Sequence, residues 1–405
     1  MHSHTSLGRG SPAPWRAYVA ATVLAAIAGF IFVASAPAAP PPANPAEGAV
    51  YVQSNTAPAN YLIAFARHHD GTLTFQTRYP TLGVGKPAGN PPLGIPFLDS
   101  AGSVTSSHHG RLLFVVNAGD NTVTSFRATG QGLKFGDIVP TFGSRPISST
   151  IHGNILYVLN SDTGDASISG YRVDPDGGMT PIAGSHLPTS QPVGGMPAQI
   201  QFDKTGHFLV VTERLAAGGN GLIDTFRVGP GGVAEPAVTH PSADVGPFGV
   251  AFTHHDVMIV SNEHFPDVFT PPLLSTVSSY SFRPDGSVAL IDTELANAGG
   301  ACWNVITNDG KYVLVTSPFT ANINSFAIGH DGELTPVNGT SVVATAPGAT
   351  LDEALSHDSK FLYVLDSAGF VSSAIDEYEV NHDGTITKIG SSAPFEGSAA
   401  GAAAW

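Results

Sequence analysis

Cysteine is almost absent from this chain. Cys302 stands alone among 405 residues, which excludes an internal disulfide and leaves stability to packing. Charge is scarce as well: 12% of the residues are Asp, Glu, Lys or Arg, and 17 basic against 32 acidic side chains give a net charge of −15. A surface of that sign repels phosphate backbones and anionic lipid, so nucleic-acid binding is excluded as a function class. Long stretches of Ala, Leu, Glu and Lys are missing, whereas Gly (46) and Pro (32) are plentiful. That composition belongs to many short strands joined by turns. Motifs that announce a chemistry are missing too. The sequence has no Ser-His-Asp order, phosphate loop or HExxH, and no cofactor is expected from it.

What is present begins with a polarised N-terminus. "MHSHTSLGRGSPAPWR" carries Arg9 and Arg16 without an acid, and an apolar run follows from Ala17 to Ala34. Ala36-Pro37-Ala38 suits a signal peptidase, so residues 1–38 are expected to be an export signal. The run also reaches the lower limit for crossing a bilayer, which leaves an uncleaved anchor open. Residues 39–48 read as a Pro-rich spacer. The rest of the chain, 49–405, is then expected outside the cytoplasm, in the periplasm or beyond. Membrane contact is expected only through an uncleaved N-terminal segment.

A repeated phrase organises those residues. An aromatic stands six positions before a Gly in "LIAFARHHDG", "VTSFRATGQG", "ISGYRVDPDG", "IDTFRVGPGG", "VSSYSFRPDG", "INSFAIGHDG" and "IDEYEVNHDG". The aromatics Phe65, Phe126, Tyr171, Phe226, Tyr280, Phe326 and Tyr378 recur about every 52 residues, a period that points to a propeller. Three positions before each lies Leu62, Val123, Ile168, Ile223, Val277, Ile323 or Ile375. Residues three apart on a strand face opposite sides, so these strands must be covered on both faces, as in blades stacked around a ring. The Asp-Gly or Gly-Gly pair supplies the positive φ of a hairpin.

Two further strand-like runs precede each phrase, giving strands A, B, C and D per repeat. The first repeat opens directly on "AVYVQSN" and lacks an A strand, while the chain ends on "EGSAAGAAAW". The expected fold is therefore all-β, a seven-bladed propeller of four-stranded antiparallel blades. Its C-terminal strand completes the first blade and removes the open sheet edges.

"VTER" with "IDTF", "GPFGVAF", "SSYSF", "ACWNVITNDGKY" and "SAAGAAA", set in this repeat, resemble the seven-bladed lactonase-like propellers. That superfamily includes 6-phosphogluconolactonases and carboxymuconate cyclases. The resemblance covers about Ala49 to Trp405, and it implies a lactone hydrolase or cycloisomerase acting at one mouth of the channel. The phosphogluconolactonases carry a His after a Pro at inner-strand starts. Here those starts read Arg145-Pro146-Ile147, Pro197-Ala198-Gln199 and Pro247-Phe248, so any such activity must use other residues.

In an up-and-down meander the D-to-A and B-to-C connections share one face, the near face. It gathers Asn117, Asp120, Asn160, Asp162, Glu213, Arg214, Asn262, Glu263, His264 and Asp366 from B-strand ends, with Arg145, Trp303, Asp352 and Glu353 from inner strands. Glu213 and Arg214 are the expected catalytic pair, the Arg binding or polarising a carboxylate or lactone carbonyl and the Glu moving a proton. A structural ion pair is the alternative. Arg145, Glu263, Trp303, Asn117 and Asn160 are expected at the ligand, with Trp303 either plugging the channel or stacking on the compound. Cys302 reads as a small buried hydrophobe. The long loops 80–97 and 265–276 lie on the same face. His108-His109 and His254-His255 read as solvated turn residues on the far face, and no metal site is expected. The partner is therefore a small acidic or lactone-type molecule. An exported binding or scaffolding propeller without chemistry is the other class that fits.

Overall fold

The computed structural model describes residues 47–86, 98–107, 109–162, 164–215, 219–264, 274–369, 372–397 and 399–405. The expected export signal, most of the spacer, His108 and much of both long loops lie outside the described residues. Among those described, the chain forms seven antiparallel sheets and one 3-10 turn, Val337–Gly339. No helix there is long and apolar enough to cross a membrane.

Blade 1 takes its B, C and D strands from Gly48–Gln53, Tyr61–Arg67 and Leu73–Pro80, and its A strand from Ala400–Ala404. Ala404 pairs with Val50 and Ala402 with Val52. The Trp405 main chain exchanges hydrogen bonds with Ala49, at 2.9 and 2.8 Å. The other six blades are consecutive A-B-C-D meanders, as in blade 4: Pro197–Phe202, Phe208–Glu213, Leu222–Arg227 and Val238–Pro241. In blades 3, 6 and 7 the D edge is split into two short pieces. The ring is closed as expected from the unequal count of phrases and A strands.

The seven aromatics and their seven partners three residues earlier are all buried. The hairpins explain how neighbouring blades grip one another. In blade 1 the Gly71 amide donates to His68 O, Thr72 N donates to the Asp70 carboxylate, and Gly71 has φ 82°. A Cβ there would strike the Phe361 ring of blade 7. The hairpin glycine is thus needed twice, for its dihedral and for its contact. Tyr363 of blade 7 donates its hydroxyl proton to Gly71 O, and Tyr157 of blade 3 does the same to Gly232 O of blade 4.

Blades 2, 5 and 6 contain a polar latch, in which the last side chain of strand B bonds that of the C-strand residue two positions before the aromatic. Asn117 Nδ2 donates to Thr124 Oγ1 at 2.9 Å, Asn262 Nδ2 to Ser278 Oγ at 2.9 Å, and Ser317 Oγ to Asn324 Oδ1 at 3.1 Å. At the axis, side chains cap the inner strands of the next blade. Ser148 and Thr150 accept from the amides of Ile200 and Phe202, and Gln199 pairs with both N and O of Val250. Buried backbone groups facing the channel are satisfied in this way without a strand partner.

Candidate functional site

The latch decides where the expected catalytic pair goes. Glu213 is the last residue of its B strand, the position held by Asn117, Asn160 and Asn262 in other blades. Its side chain turns into blade 4, where Oε1 accepts from Ser190 Oγ and Gln191 N, and its partner is Asp224. Burial, helped by the hydrogen bond and charge of Asp224, pushes Glu213 up to about 8. In its protonated form it can share that proton with the neighbouring carboxylate. Blade 7 has a similar carboxyl pair, Asp366 and Asp376, but there Lys388 Nζ lies 2.7 Å from Asp376.

Arg214, one residue on, points the other way, toward the channel mouth, so the expected pairing with Glu213 is not formed. Successive residues at a strand end face opposite sides. Arg214 is 1% exposed. Its Nη2 lies 2.8 Å from Asp99 Oδ2, its Nη1 3.4 Å from Glu263 Oε1, and its Nε donates to Met196 O. The guanidinium sits 5.3 Å from the Phe248 ring centre. Burial alone would favour neutral Arg214, but Asp99 and Glu263 outweigh it and hold the guanidinium charged. Glu263 occupies in blade 5 the place that Arg214 occupies in blade 4. Burial pushes its carboxyl up to about 7, against the pull of Arg214 and with the push of Asp99. Its Oε2 is 3.9 Å from Cys302 Sγ. Burial and the neighbouring Glu263 drive that thiol well above its usual range. Cys302 is as buried as expected, yet it borders the charged cluster.

Arg145 joins this group from blade 3. It has φ 55°, donates from Nη2 to Leu98 O at 3.1 Å, and interacts electrostatically with Asp99, Arg214 and Asp162. Burial lowers it to about 10, opposed by Asp99. Arg145 and Met196 have positive φ immediately before an inner strand, and Asp99 has it five residues before Val104–Ser106. Asp99 went unnoticed in the sequence because it follows a long irregular loop. Aligning Leu98-Asp99-Ser100 with Ser144-Arg145-Pro146 is the signal that finds it.

Trp303 plugs the channel. Its Nε1 donates across the axis from blade 6 to Ser100 O of blade 2 at 2.9 Å, and its ring meets Phe248 edge-on at 5.0 Å. The apolar Ile147, Ala198 and Phe248 occupy the inner-strand starts as buried packing.

Asn117 and Asn160 do not reach this cluster. Asn117 uses its whole amide inside the fold: Oδ1 accepts from Asn60 and Thr81, and Nδ2 donates to Thr122 and Thr124. Asn160 Nδ2 donates to the main chain of Thr141 and Ser167. Both amides donate their hydrogen bonds inside the fold. His264 faces Asp244 at 3.6 Å, away from Glu263. Asp352 is held by backbone amides of Glu353, Ala402 and Gly102 and is raised by burial to about 7. On the far face, His254 contacts Asn308 O of blade 6, and His255 stacks near His330 of the blade 6 hairpin.

No protein-family profile matches the chain, and no curated protein matches it. Solved structures do. They share its seven-bladed propeller fold. The chain is similar to a periplasmic gluconolactonase from Pseudomonas aeruginosa at 18% identity and a TM-score of 0.65, covering 88% of this chain and 98% of that one. It is also similar to a 6-phosphogluconolactonase candidate from Bacteroides fragilis (18% identity, TM-score 0.65, 90% and 100% covered). A third similar structure is a protein from Lactobacillus plantarum (14%, TM-score 0.66, 89% and 100%). Identity this low carries the fold and not the activity.

Proposed function

We propose that this is an exported propeller whose near face binds a small carboxylate or lactone at Arg145, Arg214 and Glu263, and that Glu263 moves the proton when the lactone ring opens. The observation that carries this reading is the buried cluster of two guanidiniums and two carboxylates at one channel mouth. The chain has few charges to spare for such a place. With Glu263 protonated, the set Arg145, Arg214 and Asp99 has one positive charge in excess, which suits a monoanion or the oxyanion of an attacked lactone. A carboxyl near 7 is matched to proton transfer at neutral pH. The fold shared with a gluconolactonase is consistent with lactone chemistry.

A second reading is favoured by Arg214 itself. Two acids, a main-chain carbonyl and an aromatic face already surround its guanidinium, as they would in a structural knot of a non-catalytic binding or scaffolding propeller. The test is turnover of five- and six-membered sugar lactones by pH-stat, with titration calorimetry against short dicarboxylates, on wild type and on Glu263→Gln and Arg145→Gln. The catalytic reading expects wild-type hydrolysis that falls at least a hundredfold in Glu263→Gln while lactone binding persists. Absence of both turnover and binding in a folded wild type, with Arg214→Gln merely lowering Tm, would establish the knot.

A further inference from the structure

The far face contains a groove of about 560 Å³ between blades 3 and 4. Arg172, Arg227, His152 and His207 line it, with Phe202, Phe208 and Ile155 forming its apolar floor. The four basic or imidazole side chains are exposed. None of them belongs to the near-face cluster.

The repeat shows why this charge stands out. Arg127, Arg172 and Arg227 each follow the repeat aromatic, in blades 2, 3 and 4. Arg127 Nε reaches forward to Asp176 Oδ1 of the blade 3 hairpin at 3.5 Å. Five of the seven hairpins have an Asp directly before their glycine: Asp70, Asp176, Asp285, Asp331 and Asp383. The blade 4 hairpin, which Arg172 reaches, has Gly231 there instead. With Pro230 before it and φ of 87° and 83° at Gly231 and Gly232, it is a type II turn. Arg172 Nη2 therefore meets only the Gly231 carbonyl, at 2.9 Å.

Arg227 lies 5.5 Å from the Phe208 ring centre. Among the described residues, neither Arg172 nor Arg227 has a carboxylate within ion-pair distance. Two acids beside the groove, Asp203 and Asp285, are turned into their own loops. Asp203 accepts from Thr205 and Phe208 N, and Asp285 accepts from Ser287 N and Oγ. In a protein of net charge −15, two accessible guanidiniums without carboxylates mark a place for an incoming anion.

We propose that this groove is a second ligand site, for a small compound whose carboxylate or phosphate engages Arg172 and Arg227 and whose apolar body rests on Phe202, Phe208 and Ile155. Its volume is that of a small-molecule pocket, and its pairing of an apolar floor with a few polar groups is the usual design of one. Carboxylate and phosphate share the recognition, a planar fork against paired anionic oxygens.

The test uses phenyl phosphate and benzoate as probes and phenol as the uncharged control, titrated by calorimetry in low salt. One of the two anions should bind saturably, at least tenfold more tightly than phenol, and weaken as salt rises. Arg172→Gln and Arg227→Gln should each cost threefold or more, and the double variant tenfold or more. Arg127→Gln, at the equivalent place with its own acid, should bind like wild type. Glu263→Gln should too, which separates this groove from the near face. Arg127, Arg172 and Arg227 reach solvent and tolerate a polar residue, and a cooperative melt checks that each variant is folded. Failure of both anions to bind wild type at millimolar concentration would overturn the proposal. A double variant that binds with the affinity and stoichiometry of wild type would overturn it as well.

Discussion

Glu213 makes the protein's stability fall as pH rises. Its carboxyl is raised to about 8 in the folded protein against an ordinary value of 4.5. The folded state therefore binds a proton that the unfolded chain has released, and stability drops by up to about 1.4 kcal/mol per pH unit across that window. The contribution is fully present below about pH 4.5 and lost as pH climbs through the folded value. About 2 kcal/mol is the expected loss between pH 5 and 8. Among the described residues, no Lys or Arg forms an ion pair with the blade 4 carboxyl pair as Lys388 does in blade 7.

Glu213→Gln imitates the protonated acid, since the amide can accept from Gln191 N and donate to Asp224. This variant should match wild type in urea unfolding at pH 5 and exceed it by about 2 kcal/mol at pH 8. Glu263, Asp352 and Glu377, each raised to about 7, push wild type in the same direction. Parallel pH curves for wild type and Glu213→Gln, or a wild type that gains stability from pH 5 to 8, would refute the shared-proton account.

Removing residues 398–405 should abolish the cooperative melt seen by calorimetry, because it opens blade 1 and exposes the edge of Gly48–Gln53. A truncated protein melting like the full chain would contradict closure by that strand. Trp303→Ala should lower stability by about 3–5 kcal/mol in urea unfolding, since the channel plug and the bond to Ser100 go together. Asn117→Ala should cost about 2–4 kcal/mol by the same measurement, as Asn60 and Thr81 lose their acceptor inside the fold. Cys302, buried and with a raised thiol, should react with a thiol reagent only at the rate of unfolding.

The blades were legible in the sequence because each is a local object. An aromatic, an apolar residue three positions before it and a glycine six positions after it specify a two-sided strand and its hairpin within a dozen residues. Counting seven such phrases against six inner strands was enough to assign Ala400–Ala404 to blade 1. Gathering Arg214, Arg145 and Glu263 at one mouth also followed, from meander topology alone.

The direction of each side chain at a strand end was not legible, because it depends on a single residue of register. That register turned Glu213 inward to Asp224 and Arg214 toward Asp99. It set Asn117 against Thr124 and turned the Asn160 amide to the main chain of Thr141 and Ser167. Asp99 and Trp303 found their partners across the ring, over separations that no local pattern encodes. The far-face groove depends on two blades meeting, one with an Arg and the next with Gly231 where five of its sisters have Asp. Local chemistry sets the repeat, whereas the charges that repeats bring face to face are fixed only when the ring closes.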